Sequence, residues 1–345
     1  MLKINSKKKL IVTTASLMLM IAMLASSCSS DTKDKETKAK DTAVAGAKID
    51  FAKAPGKDFK ATDPVLAPAP TGKVHNIELT MEEIVKEVSP GVTQELWTFN
   101  KQSPGPILHG KIGDTFNVKL TNNGKIGHSM DFHAGYAPWD TQMRTIASGE
   151  TIEYNFVAEY SGIWMYHCGT SPVLHHIGNG MFGAVVIDPP DLAPVDHEYI
   201  ILQNEIYTGA EGKPGDLTKM QNDKWDAIVF NGYVNQYLHQ PIKVGVNDRV
   251  RVWVMDVGPS ENSSFHIVGT IFDTVYKEGA YLVRGGPGAS QALDLQPAQG
   301  GFVEFNLKHE GLYPIVTHKF SNVGKGALGL FQAGDPKPPA GGGGH

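Results

Sequence analysis

From about residue 75 onward the chain runs in short stretches of alternating apolar and polar residues. Phe116-Asn117-Val118-Lys119-Leu120, Ile152-Glu153-Tyr154-Asn155-Phe156 and Val250-Arg251-Val252-Trp253-Val254 are examples. Successive side chains of a strand point to opposite faces, so such runs, rich in β-branched and aromatic residues, predict half-buried strands. Gly, Pro, Asn and Asp interrupt them at short intervals, and no long stretch carries a 3.6-residue period. The pattern predicts an all-β protein built of sandwiches.

The strand pattern occurs twice. Gly113-Asp114-Thr115-Phe116-Asn117-Val118 matches Val246-Asn247-Asp248-Arg249-Val250-Arg251, and each is followed by a histidine, His133 or His266. Gly149–Phe156 matches Gly300–Leu307, Gly162–Tyr166 matches Gly311–Ile315, and Gly180–Gly183 matches Gly326–Gly329. The repeat predicts one domain over 72–190 and a second over 195–335, with Asp188-Pro189-Pro190 and Pro194 at the junction. The copies differ where it matters chemically: Thr317 stands against Cys168, and Ala327 against Met181.

The ends of the chain read differently. Lys3, Lys7, Lys8 and Lys9 precede an apolar run from Leu10 to Ala25, too short for the ~20 residues of a membrane span. With Ala25-Ser26-Ser27-Cys28 behind it, residues 1–27 read as a signal peptide whose box resembles that of bacterial lipoproteins, Cys28 being the lipidated residue. Residues 28–71 read as a flexible tether and 336–345 as a disordered tail. Such a protein is exported and held by its lipid on the periplasmic or cell-surface side of a membrane. A net charge of -5 excludes the basic footprint of a nucleic-acid binder, and two cysteines in 345 residues exclude a disulfide scaffold.

The candidate chemistry lies in the first copy. His128, Cys168, His176 and Met181 supply two imidazoles, one thiolate and one thioether, the ligand set of a blue copper site. His175 adjoins His176 and offers the same group; His176 is preferred because its five-residue step to Met181 resembles that of cupredoxin loops. Strand alternation turns His167 away from Cys168, and puts Asp131 and His133 on one face. His133 and His167 thus make half of a second metal site, and the second copy offers His266 and His318 to complete it.

The residues His128-Ser129-Met130-Asp131-Phe132-His133, Tyr166-His167-Cys168, His176, Met181, Ser264-Phe265-His266 and Thr317-His318 resemble the two-domain copper-containing nitrite reductases. The resemblance implies two cupredoxin-like Greek-key β-sandwich domains in tandem. It implies a type 1 copper on His128, Cys168, His176 and Met181. It implies a type 2 copper on His133, His167 and, from the adjacent subunit of a homotrimer, His318. Asp131 and His266 then match the catalytic pair, and Val268 the residue that shapes the substrate pocket. The implied reaction is the one-electron reduction of nitrite to nitric oxide, with a cytochrome c or a small cupredoxin as donor. Two features depart from the family pattern: the segment Ala134–Trp139 lacks the usual Gly-rich loop, and the Cys168–His176 loop is short.

Two other classes compete. A two-domain multicopper oxidase would hold its trinuclear cluster with repeated His-x-His pairs, and the sequence has none. A non-enzymatic blue-copper electron-transfer lipoprotein would need only His128, Cys168, His176 and Met181, leaving His133, His167, His318, Asp131 and His266 without a purpose. The other histidines, His75, His109, His197, His239 and His309, read as surface or structural.

Overall fold

The computed structural model describes residues 46–336; the expected signal peptide, Cys28, the expected tether up to residue 45 and residues 337–345 of the expected tail lie outside them. Alternation produces the strands as expected. In Thr115–Asn122 the residues Phe116, Val118 and Leu120 are all buried, while their neighbours face outward.

Four sheets result. The first sandwich pairs a sheet of order Val92–Phe99, Val74–Ser89, Thr115–Asn122, Thr151–Val157 with one of order Leu108–Lys111, Phe182–Asp188, Gly162–His167, Asp131–Phe132. Phe116, Val118, Phe132, Tyr154, Tyr166 and Val185 belong to the core between them. The second sandwich has a six-stranded sheet, centred on His197–Ile206, Arg249–Gly258 and Gly300–Asn306, and a five-stranded sheet centred on Gly311–Thr317. Strand crossings repeat too: Val74–Ser89 runs parallel to Thr115–Asn122, as His197–Ile206 does to Arg249–Gly258. Ile163, Met165 and Phe182 of the first sandwich pack against Ile200, Trp253 and Phe302 of the second.

The repeat extends to polar details that sequence matching did not pair. His75 Nε2 lies 2.8 Å from Asp114, and His197 Nε2 lies 2.8 Å from Asp248. Both carboxylates also close a tight turn, accepting the N–H of Lys111 (2.9 Å) and of Gly245 (2.7 Å). Asp114 therefore corresponds to Asp248, one residue beyond the Asn247 that sequence alignment chose.

Residues 46–71 differ from the expected flexible tether. Ile49 and Leu66 are buried, Leu66 N–H donates to Glu198 O (3.0 Å), and Pro64 O accepts Ile200 N–H (2.7 Å). Few apolar residues suffice because the backbone itself completes the hydrogen bonding of a neighbouring strand. His109 clamps this strap, with Nδ1 2.7 Å from Ala67 O and Nε2 2.8 Å from Asp188. Burial opposes charging of His109, but Asp188 outweighs it and holds the imidazole above its ordinary pKa.

The second sandwich buries an acidic group, Glu205, between the backbone N–H groups of Ser260 (2.8 Å) and Glu261 (2.5 Å) and the Tyr207 hydroxyl. Burial pushes its pKa up to about 7. The folded state thus binds a proton that the unfolded chain has already released. The stabilisation is complete below the ordinary glutamate range and disappears as pH rises toward and past 7. Glu205→Gln, which mimics the protonated form, should flatten this decline, raising stability above pH 7 by on the order of 3 kcal/mol. Thermal unfolding across pH 5–9 checks it.

Candidate metal centres

The strand Gly162–His167 delivers both candidate centres, because it ends at the point where consecutive residues face opposite ways. Cys168 turns inward and is fully buried; His167 turns outward and is partly exposed. Tyr166 anchors the strand from the inside, donating its hydroxyl to Pro106 O (2.6 Å).

The inward set is dry. His128, Cys168 and Met181 are fully buried, and His176 is nearly so. Cys168 Sγ lies 3.2 Å from His176 Nδ1 and 4.0 Å from His128 Nδ1, and the two Nδ1 atoms are 3.3 Å apart. Met181 is laced to the same residues: its N–H donates to His176 O and its O accepts Cys168 N–H, both at 3.1 Å. Burial raises the Cys168 thiol pKa and pushes His176 down to about 3, so without a metal these groups are neutral. Three donor atoms with no carboxylate among them, converging in an apolar core beside a thioether, fit a soft copper ion.

The loop from Cys168 to Met181 contains a short helix, Val173–Gly178, which strand reasoning did not anticipate. It separates the two adjacent histidines. His176 faces Cys168, whereas His175 Nε2 donates to Gly215 O (3.0 Å). Trp97 covers both rings, at centroid distances of 4.5 Å from His176 and 4.7 Å from His175.

The outward set gathers Asp131, His133 and His167. Asp131 and His167 are direct cross-strand partners, which puts them on one face. The two Nε2 atoms are 3.1 Å apart, and Asp131 Oδ2 lies 3.9 Å from His133 Nε2 and 3.8 Å from His167 Nε2. His167 Nδ1 donates to Cys168 O (2.9 Å), so its proton sits on Nδ1 and Nε2 keeps a free lone pair. Burial, then the neighbouring His167, lowers the His133 pKa and keeps that ring a neutral donor. Two imidazoles with a carboxylate alongside fit a second copper.

His266 and His318 lie together on the second sandwich, ring centroids 5.0 Å apart, with Val268 exposed nearby. Within one chain His318 is not part of the Asp131, His133 and His167 group. His266 Nδ1 donates to Gln291 O.

Strand pairing revises one match in the repeat. Asp131 sits opposite His167, and His266 opposite Val316, which is the counterpart of His167. His133 N–H donates to Met165 O, as Val268 N–H does to Pro314 O. His266 therefore occupies the position of Asp131, not of His133, and Val268 occupies that of His133. The Cys168 and Thr317 match agrees with the hydrogen bonding: Ser129 N–H points at Cys168 Sγ (3.4 Å), and Ser264 N–H donates to Thr317 Oγ1 (2.9 Å). Ala327 N–H donates to Asn322 O as Met181 N–H does to His176 O, which puts Asn322 in the place of His176. The second copy has thus exchanged its soft donors for small or hard polar groups.

Glu83, Trp97 and Gln291 touch these centres, and the sequence reading gave none of them a role there. None carries a local signal, because each reaches its histidine from a distant strand or loop.

Two cupredoxin-like sandwiches with a cysteine-containing donor set in the first define a two-domain cupredoxin-like copper protein, and residues 80–192 match the multicopper oxidase family model. The copper-containing nitrite reductase of Neisseria gonorrhoeae is 34% identical over 279 residues, covering 77% of this chain and 69% of that protein. A solved copper nitrite reductase from Nitrosomonas europaea superposes with a TM-score of 0.70 at 32% identity, covering 79% of this chain and 98% of the other. A copper-containing nitrite reductase from Thermus scotoductus gives a TM-score of 0.69 at 30% identity, covering 76% and 62% respectively. The chain belongs to the copper-containing nitrite reductases.

Proposed function

We propose a division of labour for this nitrite-reducing copper enzyme in which His128, Cys168, His176 and Met181 hold a type 1 copper and His133, His167 and His318 of the partner subunit hold a type 2 copper. The overall change is nitrite plus one electron and two protons to nitric oxide and water. The bound coppers supply the one-electron redox chemistry and the positive charge that attracts the anion. The observation that carries the reading is the adjacency of Cys168 and His167. One belongs to a buried donor set and the other to an accessible one, so a single peptide link joins them. The hydrogen bond from His167 Nδ1 to Cys168 O (2.9 Å) makes a second short connection. A cytochrome c or small cupredoxin delivers the electron at the buried set.

The remaining residues handle protons. Asp131 Oδ2 stands within 4 Å of both imidazole Nε2 atoms, where it can share a proton with an anion held there. His266 has its Nδ1 committed to Gln291 O, leaving Nε2 to receive or release a proton. Asp131→Asn and His266→Ala should each lower turnover by ~10²–10⁴-fold with both coppers retained. Turnover after copper quantification checks this; wild-type rates would place the proton route elsewhere. Val268, exposed beside His266, would border the substrate.

The domains are proposed to span 72–190 and 195–335, and the working form to be a homotrimer. Among the described residues no helix is long and apolar enough to cross a membrane. Export and attachment are proposed to depend on the signal peptide and lipidated Cys28. Cys28→Ser should shift the mature protein from the membrane to the soluble fraction with unchanged visible absorption, since firm anchoring needs the acyl chains.

A further inference from the structure

We propose that Glu83 is a positioning residue for the buried centre: its carboxylate accepts a hydrogen bond from the outer N–H of His128, fixes which ring nitrogen faces the metal, and lowers the reduction potential there. The inference rests on the reading of His128 as a ligand.

Glu83 lies in strand Val74–Ser89 with its side chain 5% exposed, and its Oε1 is 3.1 Å from His128 Nε2. The same carboxylate accepts the backbone N–H of Lys125 on both oxygens (3.1 and 2.8 Å) and that of Ile126 (3.2 Å). Both oxygens accept a backbone N–H, a group that only donates, so the geometry is that of an ionised, acceptor-only carboxylate. The last donor is then His128 Nε2–H. With its proton on Nε2, His128 keeps its Nδ1 lone pair toward His176 Nδ1 (3.3 Å) and Cys168 Sγ (4.0 Å).

The fold makes room for this contact. A Cβ on residue 124 would stand 2.6 Å from Glu83 Oε1, so Gly124 is the residue that allows the approach. By gripping Lys125 and Ile126, Glu83 also sets the path of the chain just before His128.

The electrostatic consequence has a definite sign. A full negative charge one hydrogen bond from a ligating imidazole makes that imidazole a stronger donor. In a site screened from water it favours the more positively charged, oxidised metal. A lower potential helps the electron leave the buried centre toward His167.

The test uses the copper-loaded full-length protein. Glu83→Gln keeps the size of the side chain and removes its charge. Retained thiolate absorption with a midpoint potential raised by at least about 59 mV, a tenfold change in the oxidised-to-reduced ratio for one electron, supports the proposal. Full absorption with an unchanged potential overturns it and leaves the ligand assignment standing. Absence of thiolate absorption in the wild-type protein overturns the ligand assignment, and this inference with it. Should Glu83→Gln fail to hold copper, Glu83→Asp decides. A potential near wild type supports a role for the charge. A rise of about 59 mV or more with the charge still present overturns it.

Discussion

Cys168→Ala should leave a folded protein without its intense visible absorption and without turnover from protein donors. The chain has two cysteines, and Cys168 is the one inside the first sandwich, fully buried with Sγ 3.2 Å from His176 Nδ1. A thiolate is the source of strong thiolate-to-copper absorption, and neither Met181 nor the two imidazoles replaces it. The donor atoms lie in a core with no carboxylate among them, so no neighbouring group takes over. Loss of a supporting group beside a metal costs ~10–100-fold, and loss of the thiolate itself should exceed that. The exposed set, Asp131, His133 and His167, shares no side-chain atom with Sγ and should still bind its own metal. Copper content should therefore fall by about half. Retained colour in Cys168→Ala would show that the buried set is wrongly assigned.

His318→Ala should give the complementary result: full visible absorption, the second copper lost, and turnover gone. His318 closes the site in the proposed assembly but does not join Asp131, His133 and His167 in its own chain. This separation yields a stricter test. His318→Ala and His133→Ala chains, each inactive alone, should regain part of the activity when unfolded together and reassembled. Some interfaces then combine an intact first-domain pair with an intact His318. Recovery requires that the site be shared, whereas a site made within one chain predicts none.

Much of this was legible in the sequence because it is periodic. Thr115–Asn122 alternates strictly, and its buried residues are the ones alternation selects. The opposite facing of His167 and Cys168 follows from the same period. What was hidden depends on partners far apart in the chain or on local turns. His75 finds Asp114 across 39 residues and His197 finds Asp248 across 51, which no short motif encodes. The roles of His175 and His176 separate only because a helical turn rotates neighbours by about 100°. Residues 46–71 look solvated by composition yet pack through backbone hydrogen bonds, which composition does not record. Glu83 reads as an ordinary solvent-facing strand residue until the loop of Lys125 and Ile126 closes over it. The match of His133 with His266 followed residue type; the strand register shows that His266 takes the place of Asp131 instead.

The most direct measurement is anaerobic nitric oxide release from nitrite by the purified full-length protein, with copper counted per chain. The account predicts two coppers per chain, thiolate absorption that bleaches on reduction and returns when nitrite is added, and one nitric oxide for each electron supplied. One copper per chain with the same absorption and no nitric oxide would contradict it, leaving a blue-copper electron carrier.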